Sequence, residues 1–362
     1  MTQGVLPSPD QVREWLGPAA TDPASLPDDG YAALLGADGQ QLAELCEIAD
    51  SLRRQAVGDD LTYAVNRNLD TAAVAGADTG ARERLAALVA EAWELGATEI
   101  CMQGPLPANS DDDYLELIAA VKAAAPEIHL HGFRPSELLD GAARRGMKLE
   151  DFLTAARQAG LGSVPGTAAR ILDDEVRTRM MGRPDLPVAR WTEVITAAHR
   201  AGLTSTSTMV FGHVETPAHQ VAHLRQLAAI QAETGGFTEF IAMPFVPAAA
   251  AVTAPGLVGT DVSGPSWRQS RAVHAVARLT LHGRVRNLQA AWPKYGLDAS
   301  VDLLRGGAND LGGLLLDGRL APGAGAEAGL ALTRDDVERV AKTLGRKLQQ
   351  RTTGYAKVPA DG

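Results

Sequence analysis

From about residue 40 onward the apolar positions of this chain recur at two alternating spacings. Leu42, Leu45, Cys46, Ala49 and Leu52 fall at three- and four-residue steps, which predicts one face of a helix over 40–55. Leu85, Leu88, Val89 and Ala92 repeat the pattern, with Gly96 as its stop. So do Tyr114, Leu117, Ile118 and Val121, where Asp111 to Asp113 sit at the positive end. Between these stretches lie short apolar runs at 61–65, 98–103, 128–132, near Ser163, at 204–210, 237–243 and 285–290, and near 308–311. Strands that alternate with helices predict a parallel sheet, and about eight such units predict an α/β fold of the TIM-type (β/α) barrel class.

The same reading divides the chain into an N-terminal lead-in and helix at 1–58, a barrel at 59–320, and a C-terminal helix and tail at 321–362 packed on the barrel. Residues 1–30, rich in Pro, Asp and Gly, are expected to be loosely ordered. Asn66-Arg67-Asn68 reads as a polar turn closing the first strand, followed by a small-residue segment at 71–80. Ala248 to Ser266 reads as a long loop punctuated by Pro and Gly, placed to act as a lid.

Composition narrows the partners. The formal net charge is -10 and no Lys/Arg block interrupts the acidic background, which argues against nucleic acid or an anionic membrane. No apolar run approaches the ~18 residues of a spanning helix, and the start MTQGVLPSPD shows no signal pattern, so a cytoplasmic protein is expected. Cys46 and Cys101 are the chain's two cysteines; they give no disulfide framework and read as small buried hydrophobes.

In parallel barrels chemistry sits at the carboxyl ends of the strands. His129 and His131, two apart, should face the same way, and Gly212-His213-Val214-Glu215 offers a second polar pair. The two pairs could ligate a divalent metal, act as acid and base, or simply hydrogen-bond at strand ends. Gly306-Gly307 and Gly312-Gly313 read as backbone-geometry glycines or a phosphate-cradling turn. Thr167 reads as a helix cap, and Trp292 as a packing residue placed to border the barrel mouth.

Longer words carry a resemblance. VNRN, LGATEICMQG, IHLHGFRPSEL, GLGSVPGTAARILDDEVR, TSTSTMVFGHVETPAHQVAHL, ETGGFTEFIAMPFVP, RNLQAAW, GANDLGG and RTTGYA resemble the deazaflavin (FO) synthase, CofH-subunit, and aminofutalosine synthase branch of the radical SAM superfamily. The resemblance covers about 45–355. It implies a barrel of the radical SAM kind with N-terminal helical and C-terminal extensions. In that branch the VNRN strand end leads to Cys-x3-Cys-x2-Cys, whose thiolates hold three irons of a [4Fe-4S] cluster. Aligned from VNRN, those positions fall near Ala75, Thr79 and Arg82, and the loop is shortened by roughly a dozen residues against the family pattern. Further departures from the branch are Pro105 in QGPLP, Arg170 in GTAAR, Arg134, and Leu315-Leu316-Asp317-Gly318.

These departures set the functional expectations. No [4Fe-4S] cluster is expected, and S-adenosylmethionine stays open as a cofactor. The leading reading is a non-radical enzyme, by acid–base chemistry or SAM-dependent transfer or cyclisation, on a small aromatic or ribityl-heterocyclic substrate. Its catalytic residues would be His213, Glu215, His129 and His131. Asn66, Arg67, Asn68, Gln103, Arg134, Arg170, Gln289, Asn309 and Asp310 would bind substrate. A catalytically silent binding homologue or partner of an active radical SAM enzyme, and a new His-based metal site for hydrolase or lyase chemistry, are the alternatives. A homodimer or association with a related biosynthetic enzyme is the expected assembly.

Overall fold

The computed structural model describes residues 7–76, 79–108, 110–246, 263–314 and 331–359. The strands are β1 (Asp60–Ala64), β2 (Asn66–Asp70), β3 (Glu99–Gln103), β4 (His129–Gly132), β5 (Leu161–Val164), β6 (Thr204–Phe211), β7 (Phe237–Pro244), β8 (Asn287–Gln289), β9 (Asp310–Gly313) and β10 (Lys347–Gln350). They form one parallel sheet in the order β10-β1-β9-β8-β7-β6-β5-β4-β3-β2. β1 and β2 are successive pieces of one stretch. β1, next to the end strand β10, pairs with β9 and β10, while β2 at the opposite end pairs with β3, so the β1–β2 continuity curls the sheet on itself. This is the α/β, TIM-type architecture that the alternating spacings predict.

The helical faces are where the apolar periodicity puts them. In the helix Thr79–Glu94, Leu85, Leu88, Val89 and Ala92 are buried. In Tyr114–Ala124, Tyr114, Leu117, Ile118 and Val121 are buried, and Asp113 caps the first turn through Leu115 N at 2.6 Å. Each fully buried Leu or Val on these faces stabilises the fold by about 1.5–3 kcal/mol.

Three stretches differ from expectation. The lead-in is helical at Pro9–Thr21 and Asp28–Leu34. Ser8 and Gln11 form a capping box there, Val12, Leu16 and Ala19 make a buried stripe, Pro9 starts the first helix and Pro18 lies within it. Asn66-Arg67-Asn68 is not a turn but the first three residues of β2, paired with β3 throughout. Polar residues persist in that strand because each has a partner: Arg67 points outward to Glu91, and Asn66 donates to Asn68 at 3.0 Å. Of the segment 71–80, Thr71–Val74 is a short helix capped by Asp70, and the next helix starts at Thr79.

The chain end also joins the sheet. After helix Arg334–Leu344, β10 pairs along β1 from Asp60↔Lys347 to Tyr63↔Gln350. The expected boundary at 320, the lid at 248–262 and residues 315–318 lie outside the described residues. Ser266, at the end of the expected lid, caps the helix Trp267–Thr280. No helix among the described residues is long and apolar enough to cross a membrane.

Candidate active site

The inward faces of the strands enclose a cavity of about 160 Å³ lined by many polar side chains. Because side chains alternate along a strand, residues two apart share this wall: Asn66 and Asn68 from β2, Glu99, Cys101 and Gln103 from β3, Glu239 and Ile241 from β7. His131, Thr167, Thr206, Gln289, Trp292, Gly313, Arg351 and Thr353 complete the part that concerns us.

Gln103 and Gln289 place carboxamides at the carboxyl ends of their strands. Gln103 closes β3; its Oε1 accepts from Thr167 Oγ1 at 3.1 Å and its Nε2 donates to Cys101 Sγ at 3.1 Å. Gln289 closes β8, and among the described residues no hydrogen bond engages its carboxamide. Two glycines make room for this set. A Cβ at Gly312, where φ is +90°, would lie 1.8 Å from Gln289 Nε2, and one at Gly313 would lie 1.8 Å from Asn66 Oδ1. GANDLGG is thus a word about clearance, since only hydrogen fits where two amides lie against the backbone. Trp292 lines the same cavity and donates from Nε1 to Gly313 O at 2.9 Å.

Charged residues form a second group, which the C-terminal segment completes. Arg351 forks onto Asp310, Nε to Oδ2 at 2.6 Å and Nη2 to Oδ1 at 2.7 Å. Thr62 Oγ1 and Gly312 N also donate to Asp310, at 2.6 and 2.8 Å. Arg351 Nη2 reaches Glu239 Oε2 at 3.3 Å, Tyr355 OH donates to the same oxygen, and Thr353 Oγ1 donates to Glu99 Oε2. Burial pushes the Glu239 carboxyl up to about 7 against the pull of Arg351. Burial also opposes charge on Arg351, but Asp310 and Glu239 outweigh it and hold the guanidinium charged.

His129 and His131 do share a face. Both rings meet Ser163 Oγ, His129 Nε2 at 2.7 Å and His131 Nδ1 at 2.6 Å, and His131 lines the cavity. Burial lowers the His131 pKa to about 4, so this imidazole is neutral at pH 7. Asn66, Asn68, Gln103, Gln289 and His131 are therefore brought together. Asp310 stands behind Arg351 as its anchor.

The remaining candidates lie elsewhere. Arg67 leaves the barrel to bind Glu91 at 2.8 Å and Leu88 O at 3.1 Å. Arg134 caps the helix Pro135–Arg144 against Glu137, which also accepts from Gly104 N at 3.2 Å. Arg170, at φ +49°, pairs with Asp185, which Arg177 shares. Asn309 accepts from Arg278 Nη2 at 3.0 Å and from Leu288 N at 2.9 Å. Glu215 clamps its own loop, taking Gly212 N, His213 N and Gln220 Nε2, and His213 Nε2 lies 3.1 Å from Val210 O. Neither His213 nor Glu215 lines the cavity. Among the described residues no group of three or more His, Cys, Asp or Glu side chains is arranged to hold a metal ion, so the proposed His-based metal site is not assembled.

Among the lining residues, the sequence reading passes over Glu99, Glu239, Arg351 and Thr353. A glutamate on the inward parity of an otherwise apolar strand, as in FTEFIAMP, was the available signal. RTTGYA resembles a family word, but nothing local shows that it enters the barrel.

A curled parallel α/β barrel with a polar cavity reaching the strand carboxyl ends has the architecture of small-molecule enzymes. No family model matches the chain. It is similar to the FO synthases of Nocardia farcinica, 45% identical over 94% of this chain, and of Streptomyces coelicolor, 44% identical over 97%. Those matches cover 41% and 42% of the relatives, so the chain spans less than half their length. It is also 36% identical to the 5-amino-6-(D-ribitylamino)uracil–L-tyrosine 4-hydroxyphenyl transferase of Methanothermobacter thermautotrophicus, over 90% of this chain and 92% of that protein. Among solved structures it is similar in fold to methylornithine synthase, with a TM-score of 0.63, 15% identity, and 93% and 97% of the two chains covered. The FeFe-hydrogenase maturase HydG from Carboxydothermus hydrogenoformans gives 0.68 and 12%, with 96% and 81% covered. The chain belongs to the FO synthase branch of the radical SAM family.

Membership corrects two expectations. Relatives this similar over nearly the whole chain are FO synthases, and they point to an active radical SAM enzyme rather than to a non-radical or silent one. The family likewise implies S-adenosylmethionine with a [4Fe-4S] cluster, where none was expected. The donors of this chain are a separate fact. Cys46 lies on the helix Gly39–Val57, with Arg271 Nη2 3.7 Å from its sulfur, and Cys101 lies on β3 in the cavity wall. Two thiols on separate elements do not fit a three-thiolate cradle, and no step is derived through one.

Proposed function

We propose that this chain is a transferase of the 4-hydroxyphenyl-transfer kind and that its cavity holds the pyrimidine acceptor, a 5-amino-6-(ribitylamino)uracil. The observation that carries this reading is the set of four carboxamides, Asn66, Asn68, Gln103 and Gln289, on one cavity wall. A uracil edge alternates carbonyl acceptors with N–H donors, and a carboxamide is a side chain that presents both. Trp292 and Pro293 offer apolar surface to a flat ring, and His131 supplies a neutral imidazole. The name of the transferase from Methanothermobacter thermautotrophicus supports the ligand class. Binding of small neutral heterocycles also suits a wall whose charges, Arg351, Asp310 and Glu239, pair with each other.

The test is a fluorescence titration of the full chain with 5-amino-6-(D-ribitylamino)uracil. A saturable change that disappears in Trp292→Phe is the expected result. A titration with no saturable change in the unaltered chain overturns the reading.

A further inference from the structure

The charged group in the cavity wall has more binding capacity than the fold uses. Glu99 and Glu239 each commit one oxygen: Oε2 of Glu99 to Thr353, and Oε2 of Glu239 to Tyr355 and Arg351. Among the described residues neither Oε1 has a hydrogen-bond partner, although both residues line the cavity and are more than nine-tenths buried. Of the five N–H groups of Arg351, two go to Asp310, one to Glu239 and one to Thr352 O, which leaves one Nη1 hydrogen. With both glutamates lining the cavity, this group suits a ligand that brings several donors and at least one acceptor.

Carboxamides and carboxylates share the cavity wall, since Asn66 is the strand partner of Glu99 and Gln289 that of Asp310. A flat heterocycle matches the carboxamides and Trp292. Successive hydroxyls, each able to donate and accept, match the open carboxylate oxygens.

We infer that Glu99 and Glu239, with Arg351, are specificity-determining residues that take a polyhydroxylated chain on the ligand. The inference rests on the pyrimidine reading above and adds the recognition of the tail. The C-terminal segment then serves recognition as well as folding, because Arg351, Thr353 and Tyr355 hold both glutamates in place. Glu239, with its pKa lifted toward neutrality by burial, donates or accepts as a hydroxyl requires.

The test compares two probes by calorimetric titration: 5-amino-6-(D-ribitylamino)uracil and 5,6-diaminouracil, which lacks the chain. The unaltered protein is expected to prefer the first by about a hundredfold, from two or more hydrogen bonds to charged groups at about tenfold each. Glu239→Gln and Glu99→Gln should each shrink that preference by about tenfold. The readout is a ratio within one protein, so a general loss of folded material moves both probes together, and Glu99→Gln stands if Glu239→Gln does not fold. If both probes bind and the preference is the same in all three proteins, the inference falls and the pyrimidine site stands. If neither binds the unaltered protein, both fall.

Discussion

Arg351 and Asp310 meet side by side inside the barrel, at 2.6 and 2.7 Å, although they are 41 residues apart and neither is exposed. This fork ties the C-terminal segment to β9, and through Thr62 to β1. Breaking it leaves Asp310 buried without its counter-charge. Arg351→Met is therefore expected to cost about 3–5 kcal/mol, with Arg351→Lys also destabilising because an ammonium cannot match two oxygens at once. Urea unfolding of the three proteins checks this, and a loss below about 1 kcal/mol for Arg351→Met contradicts it.

Gly313 offers a cleaner probe of the carboxamide wall. A methyl group there would occupy the place of Asn66 Oδ1, so Gly313→Ala must push the amide away. The expected outcome is a loss of at least about tenfold in affinity for the pyrimidine, the worth of one good hydrogen bond, with the circular dichroism spectrum retained. Unchanged affinity would mean that Asn66 is not a contact.

Acid should destabilise the fold through its buried histidines. His223 accepts from Leu172 N at 2.9 Å and its Nε2 lies 2.9 Å from Thr208 O, which requires the neutral ring; burial pushes its pKa down to about 3. The unfolded chain protonates this ring near 6.5 while the folded chain does not. The stability it contributes is thus complete above about 6.5 and is lost as pH falls toward about 3. Between pH 7 and pH 5 the loss is about 2 kcal/mol for this residue. His223→Gln should flatten the pH dependence of urea unfolding by that amount. His131, lowered to about 4, acts in the same direction. Identical pH profiles for variant and parent would show that His223 does not titrate in this way.

The barrel was legible because its helices carry the 3.6-residue period in residues such as Leu85, Leu88, Val89 and Ala92, and its strands are short apolar runs between them. The shared face of His129 and His131 follows from the two-residue period of a strand. Asn66 and Asn68 were picked out as polar but set in a turn, since three polar residues in a row carry no strand signal until Glu91 is seen to receive Arg67. β10 was invisible for a similar reason: Lys-Leu-Gln-Gln is no apolar run, and it is a strand only because β1 offers it an edge. Arg134, Arg170 and His213 looked like mouth residues by position, yet Glu137, Asp185 and the Val210 carbonyl engage them. Pairings that close loops of tens to hundreds of residues, such as Thr353 with Glu99, are set by the fold and have no local mark.

The most direct test of the account is calorimetric titration of the full chain and of Gln289→Ala with 5-amino-6-(D-ribitylamino)uracil. The account predicts one saturable site in the parent and an affinity about tenfold weaker in the variant, the loss of a hydrogen bond to a group with no other partner among the described residues. Equal affinity in the two proteins, or no binding in the parent, would contradict it.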